Sequence, residues 1–164
     1  MNFASHPLLR AYLGKPAILD SNLLLLYWCA QFDPTLTKSF KRLNAFQSDD
    51  QDLLAEVLKV FSAFRTTPHV LTEVSNLANA LPEWIKEDWL KFFSQKIEVI
   101  TEEWMPAAQI AKDDGMWLGL TDAALACLAS SHVILTIDFP LSNTLEARGL
   151  NVINFTHLRT MYLA

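Results

Sequence analysis

The stretch Val133-Ile134-Leu135-Thr136-Ile137 constrains the fold more than any other part of the chain: it is short, apolar and β-branched, and a carboxylate, Asp138, stands directly behind it. A continuous apolar run of this length reads as a strand buried on both faces. Such strands belong to parallel sheets covered by helices on both sides. A carboxylate closing a buried strand is costly unless a partner or a cation answers it.

Other segments alternate in the same way. Strands are expected at PAILD (16–20), HVL (69–71), IEVI (97–100), 132–137 and NVINF. Helices are expected over about 22–31 and from a Ser48 cap, with Gln51 in the capping-box position, to Phe64. Further helices open at Thr72-Glu73, at Pro82 (to about 96), after Thr101 and at Thr121, with a short one over 141–148 ended by Gly149 and one at the end of the chain. Residues 35–47 read as irregular or partly helical. Strands separated by helices imply a mostly parallel sheet between helical layers.

The 164 residues fit one domain, 51% hydrophobic and 19% charged. Within it, residues 1–16 form an N-terminal extension ahead of the first strand, and about 31–66 an enlarged helical region. The longest apolar run, LLLLYWCA (23–30), is too short to span a bilayer, and the N-terminus lacks the pattern of a secretory signal. A cytoplasmic protein without a membrane partner is expected. None of the four glycines forms a dinucleotide or phosphate-loop motif. The net charge of −5 excludes a broadly basic nucleic-acid coat but not an enzyme that holds a polyanion locally. Cys29 and Cys127, in apolar helical contexts, read as small buried thiols rather than a disulfide.

Four acids sort themselves by position. Asp20 ends the first strand, Glu73 follows the second, Asp122 lies in the first turn of a helix leading to the fourth strand, and Asp138 ends that strand. Ligands of open parallel sheets bind outside the carboxyl ends of the strands, so one rim holds all four. Four converging carboxylates repel unless a cation lies among them. Oxygen-only ligands suit Mg²⁺ or Mn²⁺, and His and Cys do not cluster as zinc needs. The pattern points to metal-assisted phosphodiester hydrolysis. Taken singly, each acid also reads as a helix cap or dipole partner.

The pieces AILDSNLLL (17–25), VLTEVSNL (70–77), GLTDAALACLA (119–129) and VILTIDFPL (133–141), in that order, resemble the PIN-domain nucleases, a family that includes the VapC-type toxins of bacterial toxin–antitoxin pairs. The resemblance implies a three-layer α/β/α sandwich and a metal-dependent ribonuclease with RNA as substrate. It places Asp20, Glu73, Asp122 and Asp138 as the acidic quartet binding Mg²⁺ or Mn²⁺. Asn22 and Thr136 match polar positions near the first and last acid, orienting a carboxylate or water, or else serving turn and strand-end hydrogen bonds. An antitoxin protein and a second copy of the chain, in a homodimer or higher oligomer, are implied partners. The alternative is a PIN-like scaffold that binds RNA or protein without catalysis. A phosphoacceptor switch using Asp20 is disfavoured, because Asp20 lacks an acidic neighbour and no late strand ends in Lys.

KSFKRLN (38–44) is the densest basic patch. Lys38, Lys41 and Arg42 either grip RNA phosphate, with Phe40 stacking a base, or form the solvated face of a helix. The helix carrying Trp84, Ile85, Trp89, Leu90, Phe92 and Phe93 has more apolar surface than one core-facing stripe needs, which suggests a surface for self-association or a partner. KDDG (112–115) reads as a helix exit and turn, with Asp113 or Asp114 as a candidate addition to the site. The four histidines read as structural.

Overall fold

A computed structural model describes residues 6–162. Residues 1–5 of the expected N-terminal extension, and the last two residues, lie outside the described residues. Five strands, β1 (Pro16–Leu19), β2 (Ala63–Thr66), β3 (Thr101–Glu102), β4 (Val133–Thr136) and β5 (Val152–Asn154), form one sheet in the order β3-β2-β1-β4-β5. Every pairing is parallel, with Ile18 opposite both Ile134 and Arg65, and Leu135 opposite Ile153. Helices flank this sheet in an α/β architecture consistent with a three-layer α/β/α sandwich.

Among the described residues, ten α-helices surround the strands: α1 (Pro7–Arg10), α2 (Ser21–Phe32), α3 (Leu36–Ser39), α4 (Asp50–Leu58), α5 (Pro68–Ala78), α6 (Glu83–Val99), α7 (Ala107–Ile110), α8 (Leu120–Leu128), α9 (Phe139–Ala147) and α10 (Phe155–Tyr162). The core explains the two strongest strands. Ala17, Ile18 and Leu19, with Val133, Ile134 and Leu135, are fully enclosed, so both faces of β1 and β4 need apolar side chains. Helix α2 is apolar almost all round because it, too, is enclosed: Leu23 to Leu26, Trp28 and Cys29 are all buried. Among the described residues, no helix is long and apolar enough to cross a membrane.

Two expected strands are corrected. HVL (69–71) lies in the first turn of α5, because Pro68 occupies its first position and the Thr67 hydroxyl accepts the Val70 N–H at 3.1 Å. Val70, Leu71, Val74 and Ala78 then line one buried helical stripe. The second strand is instead AFRT (63–66), so the helix expected through Phe64 stops at Leu58. IEVI (97–100) closes α6, and Thr101 begins the short, exposed edge strand β3 rather than capping a helix. Ser48 forms no capping box: Asp49 precedes α4, and Gln51 accepts from the Thr37 hydroxyl at 2.8 Å. Gly119, not Thr121, stands at the start of α8.

The described part of the extension is fastened to β5. Tyr12 donates to the Val152 carbonyl (3.4 Å), Lys15 donates to Asn151 (2.9 Å), and Leu9 of α1 is fully buried.

Candidate metal centre at the carboxyl edge of the sheet

The strand order reverses between β1 and β4: the chain moves outward from β1 through β2 to β3, then returns to β4 and β5. The crevice beyond the carboxyl ends of those two strands is where an open parallel sheet binds its ligand. Asp20 follows β1 directly and Asp138 follows β4. Each caps the helix that leaves its strand. Asp20 Oδ1 accepts the Leu23 N–H at 2.8 Å, and Asp138 Oδ1 accepts the Leu141 N–H at 2.7 Å.

Thr136 ties the two together. Its hydroxyl donates to Asp20 Oδ2 and accepts the Asp138 N–H at 2.9 Å, while the Ile137 N–H also reaches Asp20 Oδ2 at 3.1 Å. Asp20 is buried, so these bonds fix its carboxylate rather than merely decorate it.

Capping does not account for the other two acids. Glu73 lies in the interior of α5, and α8 begins at Gly119 without a side-chain cap, leaving Asp122 in its first turn. Glu73 and Asp122 line a common cavity of ≈ 210 Å³ with Leu118, Gly119, Leu120 and Thr121. A second cavity of ≈ 430 Å³ continues past Glu73 along Thr72, Asn76, His69 and Pro68.

The electrostatics join the four. Burial, then the charges of Asp138, Asp20 and Glu73, push Asp122 up to about 7. Asp20 is pushed up to about 6, chiefly by burial and to a lesser degree by Asp138, against the hydrogen bonds from Thr136, Leu23 and Ile137. A consequence for stability follows. Both folded-state values lie above the ordinary aspartate value of 3.8, so the folded protein keeps protons that the unfolded chain releases. This contribution is fully present below about pH 4 and is lost as pH rises through 6 to 7. Thermal midpoints in EDTA should therefore fall across that window, and the Asp122→Asn variant should show a flatter slope; equal slopes would contradict the clustering of charge.

The donor set fits a hard divalent cation in kind: all four groups are carboxylates. The Ser21 Oγ beside Asp20, and the Thr66 Oγ1 at the end of β2, are buried hydroxyls without a hydrogen-bond partner, at the same edge. Among the described residues, no group of three or more His, Cys, Asp or Glu side chains is arranged to hold an ion. An ion at this edge would draw on donors of the right type and relieve their repulsion.

The other candidate residues are distributed as follows. Asn22 is half-buried in the first turn of α2, next to the site. Lys38, Lys41 and Arg42 are exposed and line neither cavity at the acids. Phe40 is buried, so it stacks on no base. Asp113 is committed to Arg148, whose guanidinium grips both carboxylate oxygens at 2.9 and 3.0 Å and holds the carboxyl below its usual range. Cys29 is buried, whereas Cys127 is only half-buried. His69 lines the larger cavity, and Ser21 stands in the crevice; the DSN sequence around Ser21 was the available signal for the latter. His132 is buried, with Nε2 3.3 Å from Glu103, which also pairs with Arg65.

No family model, no curated protein and no solved structure matches the chain.

Proposed function

We propose that the chain is a metal-dependent endoribonuclease of PIN type that hydrolyses RNA phosphodiester bonds in the cytoplasm. The observation that carries this reading is the approach of Asp20, Glu73 and Asp138 to Asp122, each from a separate element, at the point where the strand order reverses; burial first, and then the charges of those three, push Asp122 up to about 7. Asp20, Asp122 and Asp138 would hold Mg²⁺ or Mn²⁺, and Glu73 would join them or orient the attacking water. When bound, such an ion makes a coordinated water more acidic and neutralises charge developing on the phosphate. Thr136 keeps Asp20 in one orientation, and Glu73, half-buried in an open cavity, would accept a proton from the attacking water.

Two parts of the proposal rest on the sequence resemblance: that the protein is the toxin of a toxin–antitoxin pair, and that it forms a homodimer. The 80% exposed Trp84, with Leu90 and Val99 also exposed on α6, supplies apolar surface for association. The rival reading is an inactive PIN-like scaffold, favoured by the absence, among the described residues, of an arranged ligating group.

Cleavage of total RNA and of a structured tRNA pool decides between them. With Mg²⁺ or Mn²⁺ the protein should cut, with EDTA it should not, and Asp20→Asn should abolish cutting while the protein stays folded. Mn²⁺ should also raise the thermal midpoint, by a free energy of about 2.7 kcal/mol at a hundred times its dissociation constant. A folded protein that neither cuts RNA nor gains stability from Mn²⁺ is the scaffold.

A further inference from the structure

The same rim carries two aromatic side chains that the fold leaves in solvent. Trp117 is 70% exposed, in the 3-10 turn Met116–Leu118 directly ahead of Gly119 and α8. Phe139 is 50% exposed and follows Asp138 as the first residue of α9. Leu118 and Gly119, next to Trp117 in the chain, line the cavity that holds Glu73 and Asp122.

The turn presenting Trp117 is braced. Asp113 accepts the Gly115 N–H at 2.7 Å while Arg148 grips its carboxylate, and the Met116 and Gly119 N–H groups each donate to a turn carbonyl at 3.0 Å. A Cβ at Gly115 would stand 2.9 Å from Asp113 Oδ1, so this bracing needs glycine there. Gly119, at φ +106°, then redirects the chain into α8. Phe139 leans edge-on against His157, with ring centroids 6.2 Å apart. An aromatic face held in solvent by a stiff support loses little freedom when a flat ligand stacks on it.

Neither cavity at the acids is lined by Lys or Arg. Apart from His69, the side chains lining them are acidic or uncharged, whereas every unpaired base offers a π-face.

We propose that Trp117, with Phe139 beside Asp138, stacks unpaired bases of a single-stranded RNA whose scissile phosphate lies at the four acids. This rests on the ribonuclease reading and adds how the substrate is held. Binding driven by stacking shows a shallower salt dependence than binding driven by phosphate contacts.

The test uses the full chain carrying Asp20→Asn, which binds without cutting, and a labelled single-stranded oligoribonucleotide followed by fluorescence anisotropy. Adding Trp117→Ala should weaken binding about tenfold, Trp117→Phe should retain most of it, and a duplex of the same sequence should bind equally to all three. In the cleaving protein, Trp117→Ala should raise KM and leave kcat nearly unchanged. Unchanged binding and KM in Trp117→Ala, or equal weakening for single strand and duplex, overturns the platform alone. A parent that binds no single-stranded RNA, with a wild type that cuts none, overturns the ribonuclease reading as well.

Discussion

Replacing Asp122 by Asn should cost more than about a hundredfold in metal-dependent RNA cleavage and, in metal-free buffer at pH 8, should raise the thermal midpoint. A ligand of the ion itself should exceed the ten- to hundredfold losses typical of residues that only support ligands. The stability gain has a separate cause. Asp122 caps nothing, and at pH 8 it is charged while facing Asp138, Asp20 and Glu73. The rise from 3.8 to about 7 corresponds to roughly 4 kcal/mol of unfavourable charging, at 1.36 kcal/mol per unit. Solvent at this half-buried position reduces that to about 2 kcal/mol. Against it stands the lost attraction between a carboxylate and the α8 N-terminus, about 0.3–1 kcal/mol. The neutral amide of nearly the same shape should therefore leave a net gain of about 1 kcal/mol. A group that weakens the fold while serving the reaction is the expected signature of a functional site. Retained cleavage would remove Asp122 from the machinery, and a lowered midpoint in EDTA would show that the four charges do not crowd one another.

Adding Mn²⁺ should reverse the comparison. With the ion present, the wild type should gain more than Asp122→Asn, because the variant has lost both a ligand and the repulsion that the ion relieves. Equal gains would place the ion elsewhere.

How much of this was legible in the sequence depended on the range of the interactions. β1 and β4 are enclosed on both faces, so their residues are continuously apolar and announce themselves. β2 contains Arg65 and is mostly half-buried, while β3 is two exposed residues at the sheet edge. Neither carries a hydrophobic signature, and the apolar residues in and around them, Phe61 and Phe64 or Ile97 and Val99, mimic other elements. The acids were legible because Asp20 and Asp138 are neighbours in sequence of the two clearest strands. Glu73 reads from the sequence as a helix start after a strand, whereas it lies in the interior of α5, a helix that itself follows β2. That Thr136 bonds to Asp20 depends on β4 pairing with β1, which the motif VILTID alone does not contain. The bracing of Asp113 by Arg148, and the burial of Phe40, likewise arise from packing between distant segments.

Another long-range contact of this kind should dominate stability. Arg159→Ala should lower it by about 3–5 kcal/mol, a fall in thermal midpoint of about 6–20 °C for a domain of this size. Asp50, the first residue of α4, is 0% exposed; its Oδ2 accepts the Gln47 N–H at 2.7 Å, and its Oδ1 lies 3.0 Å from Arg159 Nε of α10. Those two atoms are close without a well-directed hydrogen bond, so the contact is chiefly charge against charge. The pair joins the enlarged helical region to the last helix. Removing Arg159 strands a buried carboxylate, and the penalty for that exceeds what the pair contributes when intact. The double variant Asp50→Asn/Arg159→Ala should therefore be more stable than Arg159→Ala alone, because the amide oxygen still accepts from Gln47 and no charge is left unpaired. Urea unfolding of the two single variants and the double variant measures the coupling. A loss below about 1 kcal/mol in Arg159→Ala would mean that water reaches Asp50 once the guanidinium is gone, and that α10 is not locked to α4 by charge.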